Sequence, residues 1–186
     1  MTPSPPTPLP RPDRTIALVG LMGVGKTSVG RRLAQTLQLP FCDADEEIER
    51  AAGRSVADIF AELGEPEFRA GERRVITRLL GEPPHVLATG GGAFMNPETR
   101  ALLLERALVV WLKADLDVLV RRVGRKDTRP LLRGRDPREV LGRLMTERYP
   151  AYAQAHLTVE TGDTPHGSAV DLVLSAIRER AERQAA

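Results

Sequence analysis

Gly20-Leu21-Met22-Gly23-Val24-Gly25-Lys26-Thr27 carries the spacing G-x-x-x-x-G-K-[ST], the pattern of a loop that cradles phosphate groups. Before it, Ile16-Ala17-Leu18-Val19 is a short branched apolar run and reads as a buried strand. After it, Val29, Leu33 and Leu37 recur at helical spacing, so a helix begins at the loop. Phosphate chemistry needs the parts in that order. The glycines let the backbone turn its N–H groups toward an anion, and the new helix adds free N–H groups and the positive end of its dipole. Lys26 can reach terminal phosphates as a point charge, and the Thr27 hydroxyl can ligate Mg²⁺. The chain has three lysines against twenty-four arginines, so Lys26 is not one of a crowd. The bland alternative is an ordinary glycine-rich turn with an exposed lysine.

Composition narrows the class. A chain of 186 residues can bury one good core and falls short of two full domains. The single cysteine, Cys42, rules out an internal disulfide and, lying in an apolar run, reads as a small core residue. The three histidines are scattered and no paired metal-ligand motif occurs. A net charge of only +2 is a weak argument for nucleic acid, and no apolar run approaches a membrane span. Residues 1–14 are rich in proline without an apolar h-region, which reads as a disordered tail rather than a signal peptide. The expectation is a cytoplasmic protein, monomeric, with one domain over 15–186.

Strand and helix signals alternate along that domain. Phe41-Cys42 form a short second strand ending in Asp43-Ala44-Asp45, where ligands bind in open α/β sheets. If extended, Asp43 and Asp45 point the same way and suit Mg²⁺ handling and hydroxyl positioning; a helix N-cap with a solvated first turn is the alternative. Gly53 ends the next helix, Ser55 caps another, and Gly64 breaks it ahead of a longer helix to about Leu80. There Arg69 and Glu72 are three apart and can pair, although Arg69, Glu72 and Arg73 alone read as a solvated helix face. Val86-Leu87-Ala88 is a third strand, and the Gly90-Gly91-Gly92 that follows invites close approach of a ligand to the backbone or is simply a flexible turn. Ala107 to Leu112 is a strand buried on both faces. Residues 121–138 are basic, broken by proline and glycine and free of aromatics for base stacking, which suits a lid over polyphosphate. Leu157-Thr158-Val159 is a last strand before an amphipathic helix. The pattern predicts an α/β, three-layer fold: a five-stranded parallel sheet flanked by helices, with right-handed crossovers.

The set of motifs resembles the shikimate kinase family, within the nucleoside-monophosphate-kinase-like P-loop proteins, from about Thr15 to the last helix. The glycine loop, Asp43-Ala44-Asp45, Ser55-Val56-Ala57-Asp58-Ile59-Phe60, Glu67-Phe68-Arg69-x-x-Glu72, Gly90-Gly91-Gly92-Ala93, Arg129-Pro130-Leu131-Leu132 and Arg148-x-x-x-Tyr152 fall in the family's order. The resemblance implies transfer of phosphate from ATP to the 3-hydroxyl of shikimate, with Mg²⁺ as cofactor and no nucleic-acid or membrane partner. It implies that Gly23, Val24, Gly25, Lys26, Thr27 and Ser28 bind ATP and that Thr27, with Asp43 acting through water, holds the metal. Asp45 would bind and deprotonate the reacting hydroxyl, with Lys26 and Arg129 as the other catalytic residues. Arg69, Arg148 and the backbone of Gly90, Gly91 and Gly92 would bind shikimate. Arg122 would stack near adenine, and Arg129 would come from a mobile lid over about 124–136. The helical substrate-binding insert would span about 45–80. One departure stands out: where family members often carry an adenine-contacting arginine, this chain has Asp163 in Thr161-Gly162-Asp163-Thr164-Pro165.

Two alternatives stay open on residues alone. A kinase for another small hydroxy acid, such as gluconate, would meet the same carboxylate-and-hydroxyl chemistry. A non-catalytic ligand sensor could keep the fold, though it would have no need of the whole phosphoryl-transfer set. A GTPase is disfavoured because no Asn-Lys-x-Asp base-reading motif occurs.

Overall fold

The apolar run ahead of the glycine loop is strand β1, Thr15–Val19, buried at every residue. The computed structural model describes residues 12–124, 132, 134–162 and 166–185. Among these, β1 is joined by β2 (Phe41–Asp43), β3 (Val86–Ala88), β4 (Ala107–Lys113) and β5 (Leu157–Glu160) in one sheet of order β2-β3-β1-β4-β5. All pairings are parallel, with Ile16 opposite Val86 on one side and Leu108 on the other. The helices are α1 (Lys26–Leu37), α2 (Ala44–Ala52), α3 (Val56–Leu79), α4 (Pro97–Arg106), α5 (Leu116–Val123), α6 (Pro137–Tyr152) and α7 (His166–Ala185), with a 3-10 turn at Ala93–Met95. The expected three-layer α/β fold is the observed one.

Strand alternation explains the layers. Leu18 faces α1: a Cβ on Gly30 would lie 3.3 Å from its Cδ1 and 2.6 Å from a ring carbon of Phe41. Trp111, in register with Val19, points to the opposite face and meets Tyr149 and Tyr152 of α6, at 4.8 and 5.8 Å between ring centroids. The central strands are buried, while β2 and β5, at the edges, are partly open. This leaves Cys42 half-buried rather than in the core, with burial pushing its thiol pKa up.

The topology locates the crevice. The chain leaves β1 toward β2 and leaves β3 toward β4, although β1 and β3 are neighbours. The loops after these two strands therefore diverge, which is where open α/β sheets bind ligands. Gly20–Lys26 and Gly90–Gly92 are those two loops. The break expected at Gly64 is present: α3 is two helical segments that meet at Gly64, whose φ 81° and ψ 171° are not helical, and Pro66 follows at the start of the second. Of the lid expected over 124–136, residues 125–131 and 133 lie outside the described residues, and Arg129 with them; so does Asp163.

One strand end depends on a histidine. The β4–β5 register begins at Val110 opposite Leu157, so the Val109 N–H has no strand partner there and donates to His156 Nδ1 at 3.0 Å. Burial, then the positive charges of Arg180 and Arg14, holds the His156 pKa below the ordinary 6.5. The unfolded chain thus takes this proton more readily, so the contribution is full above about pH 6.5 and is lost as pH falls below it. Urea midpoints should drop from pH 8 to pH 5 more steeply in the wild type than in His156→Gln, and parallel profiles would remove the role of this histidine.

Candidate active site

The glycine loop is built to leave a helix end open. Gly25 is the N-cap of α1 with φ 98°, a left-handed conformation that costs a side-chain-bearing residue energy. It offers no side-chain cap, and no acidic residue sits in the first turn. By contrast, Asp43, Ser55, Asn96 and Asp136 each cap their helices with a side-chain oxygen. The first N–H groups of α1 are thus available to an anion. Lys26 folds back over the loop, its Nζ donating to the carbonyls of Gly20 at 2.7 Å and Leu21 at 3.1 Å. Thr27 and Ser28 are exposed at the start of the helix.

Asp43 is the helix N-cap offered as the alternative reading. It ends β2 in extended conformation, and its Oδ1 accepts the Asp45 N–H at 3.0 Å as the N-cap of α2. Its Oδ2 accepts from the Thr27 hydroxyl at 2.8 Å. Asp45 already lies in α2, so the two carboxylates come together through the cap and not through strand alternation. Burial first, then the charge of Asp43, raises the Asp45 pKa above the usual aspartate value, with Lys26 and Arg69 opposing. The oxygens of Thr27 and Asp43 suit Mg²⁺, which takes a few protein oxygens and fills its octahedron with waters and phosphate. Among the described residues no group of three or more His, Cys, Asp or Glu side chains could hold a metal alone.

The three-glycine turn needs glycine for space. A Cβ on Gly90 would lie 2.9 Å from Glu72 Oε1 and 3.0 Å from Asp45 Oδ1. On Gly91 it would lie 3.3 Å from Arg148 Nη1 and 3.7 Å from the Gly20 carbonyl oxygen, and on Gly92 only 2.2 Å from Arg69 Nη2. Asp45, Arg69, Glu72 and Arg148 therefore converge on this turn, with the phosphate loop alongside it. Arg69 donates to Glu72 Oε2 at 2.7 Å, and Arg148 donates to the Gly91 carbonyl at 2.8 Å. Two basic groups with fork geometry beside a carboxylate can take an anionic, hydroxylated molecule.

Glu72 departs from the sequence reading. The face shared by Arg69, Glu72 and Arg73 was expected to be solvated, but Glu72 is 2% exposed. Among the described residues its Oε1 has no hydrogen-bond partner, and burial raises its pKa against the pull of Arg69. Only Arg73 faces out, paired with Glu98 of α4. Arg122 lies between two loops, donating to Val24 O at 3.1 Å and to Gly162 O at 2.7 Å. It thereby ties the phosphate loop to the segment after β5.

Comparisons with known proteins meet this geometry. The family model for shikimate kinase matches residues 22–178. The chain belongs to the shikimate kinase family. A shikimate kinase of Caulobacter vibrioides is 69% identical over 166 residues, 89% of this chain and 83% of the relative. The structure of the shikimate kinase from Acinetobacter baumannii in complex with shikimate superposes with TM-score 0.87 at 38% identity, covering 91% of this chain and 96% of that one. A gluconokinase from Sinorhizobium meliloti shares the fold at TM-score 0.62 and 18% identity, covering 92% of this chain and 95% of that one. Membership therefore bears out the expected enzyme class, and the gluconate alternative keeps support at the level of fold alone.

The crowding at the glycine turn is testable. Gly92→Ala should push the Arg69 guanidinium off Glu72, leave a buried carboxylate without its partner, and cost about 1–3 kcal/mol of stability. Gly162→Ala, where nothing among the described residues lies within 4 Å of the added atom, should stay within about 0.5 kcal/mol of wild type. Equal urea midpoints for the two variants would contradict the crowding.

Proposed function

We propose that this chain transfers the γ-phosphoryl group of ATP to the 3-hydroxyl of shikimate, giving ADP and shikimate 3-phosphate. The observation that carries the reading is the convergence of Asp45, Arg69 and Arg148 on the Gly90–Gly92 turn, directly beside an uncapped phosphate loop. A carboxylate close to its hydroxyl acceptor and two arginines for a ring carboxylate match a hydroxy acid next to a triphosphate.

In this reading the N–H groups of Gly23 to Ser28 and the ammonium of Lys26 hold the phosphates. Lys26 exchanges loop carbonyls for phosphate oxygens as the nucleotide enters. The Thr27 hydroxyl and, through water, the Asp43 carboxylate hold Mg²⁺, which when bound draws negative charge from the phosphate oxygens. Arg69, oriented by Glu72, and Arg148, oriented by the Gly91 carbonyl, grip the substrate carboxylate. That grip sets the 3-hydroxyl against Asp45, whose raised pKa makes it the better proton acceptor. As the hydroxyl oxygen bonds to phosphorus, its proton passes to Asp45 and the β–γ bridging oxygen leaves with ADP. Most of the acceleration comes from positioning and charge. Arg122 supports the adenine side of the phosphate loop. Arg129 is assigned to the transferring phosphoryl group on sequence resemblance. The composition fits a cytoplasmic protein working on two small molecules, without nucleic acid or membrane, and the reading takes it as a monomer; no helix among the described residues is long and apolar enough to cross a membrane.

Purified protein with MgATP should release ADP when shikimate is added and stay silent with gluconate or a nucleoside monophosphate. Turnover with gluconate alone would discard the substrate assignment. Asp45→Asn should lower kcat about 10²–10⁴-fold, the range of a positioned acid or base. Arg129→Ala should lower kcat on the order of 10³-fold while shikimate binding, followed by calorimetry, changes little; wild-type turnover in that variant would remove Arg129 from the chemistry.

A further inference from the structure

The Gly91 carbonyl oxygen accepts two hydrogen bonds. One comes from Arg148 Nη1 at 2.8 Å and the other from the Tyr152 hydroxyl at 2.5 Å. Arg148 and Tyr152 are four apart on α6 and so lie one turn apart on the same face. Both lone pairs of that oxygen are thus filled from a single helix. The Tyr152 ring is 1% exposed and fixed from three sides, by Trp111 of β4 at 5.8 Å, Tyr149 at 6.4 Å and Phe94 of the 3-10 turn at 6.3 Å. Phe94 lies two residues past the three-glycine turn, so the ring is clamped to the sheet and to the continuation of the loop that its hydroxyl holds.

We propose that Tyr152 is a positioning residue for the acceptor substrate: its buried hydroxyl fixes the Gly91 carbonyl independently of Arg148 and so sets where the Arg148 guanidinium stands. The inference rests on the proposed role of Arg148 in gripping the substrate carboxylate. Gly91 has no side chain to wedge against its surroundings, so its carbonyl must be placed by bonds. With Tyr152 in place, Arg148 meets an oxygen that is already anchored, and its remaining N–H groups keep the direction in which they leave the fork. Without the hydroxyl, Arg148 alone would hold the loop, and guanidinium and loop would drift together. Burial pushes the Tyr152 pKa up to about 12, opposed by Arg148, so the phenol remains a donor throughout the working pH range.

Tyr152→Phe keeps the ring and its packing and removes the anchor. The worth of one neutral hydrogen bond converts to a change of about two- to tenfold in an equilibrium constant. The KM for shikimate should rise by that factor in Tyr152→Phe, with the KM for ATP unchanged. In an Arg148→Ala background the same substitution should add little, because the group it positions is gone. A shikimate KM equal to wild type in Tyr152→Phe, or a rise in both KM values together with a lower thermal midpoint, would overturn the positioning role. If Arg148→Ala itself leaves the shikimate KM at the wild-type level, the carboxylate reading fails and takes the inference with it. If Arg148→Ala raises that KM and Tyr152→Phe does not, only the role of Tyr152 falls.

Discussion

A Cβ on Gly91 would stand 3.7 Å from the carbonyl oxygen of Gly20 and 3.8 Å from the nitrogen of Met22. Two bare stretches of backbone, one after β1 and one after β3, meet there in ordinary contact, and the site depends on that approach. Parallel pairing of β1 with β3 brings the strand ends together, and the divergence of their connections opens a crevice between the loops. Side chains on the second loop would fill the space now taken by the polar ends of Asp45, Glu72, Arg69 and Arg148. The glycines at 90–92 therefore act by occupying no room. None of them has the positive φ that Gly20, Gly23 and Gly25 show in the first loop.

Charge is handled in the same economical way. Glu72 is nearly fully buried and holds Arg69 with one oxygen only. A buried pair of this kind stabilises the fold weakly, since both ions give up water. Its effect is to fix direction: the arginine cannot swing away without leaving a carboxylate stranded. Arg148 is fixed by a carbonyl instead, which adds no charge. Asp45 is brought into place by its backbone N–H, which donates to Asp43 Oδ1. Burial and the charge of Asp43 keep the proton affinity of its carboxylate high, as the proposed role toward an incoming hydroxyl requires.

Much of this was legible in the sequence. The run Ile16–Val19, the glycine spacing and the helical periodicity after Lys26 required only local rules, and the strands, caps and Gly64 kink followed from similar ones. Asp43 and Asp45 were paired for a reason that the fold does not use: strand alternation applies to extended chain, and α2 begins at Ala44. Glu72 was misread because its helix face carries arginines on both sides, and nothing local reveals that a glycine turn from residues 90–92 covers that face. The apolar neighbours Phe68, Val75 and Ile76, all buried, were the available signal that the stripe is narrow. Tyr152 entered only as part of a motif, because its acceptor lies 61 residues away.

What local rules miss in each case is a contact made between separate connections of the sheet. Arg69 belongs to the excursion between β2 and β3, and Arg148 to the one between β4 and β5. They share a site because the turn after β3 lies between them and has no side chains to keep them apart. Helix capping draws the same distinction on the phosphate side. At Asp43, Ser55, Asn96 and Asp136 a side chain closes the first turn of the helix, whereas α5 starts at Asp115 without a side-chain cap bond. At α1 the cap is a glycine without a side chain, so the stabilisation that a cap would supply is left for a bound anion to provide. Binding at that end therefore stabilises the nucleotide-holding conformation by linkage, and the chain gives up some helix stability in its free state to make the site.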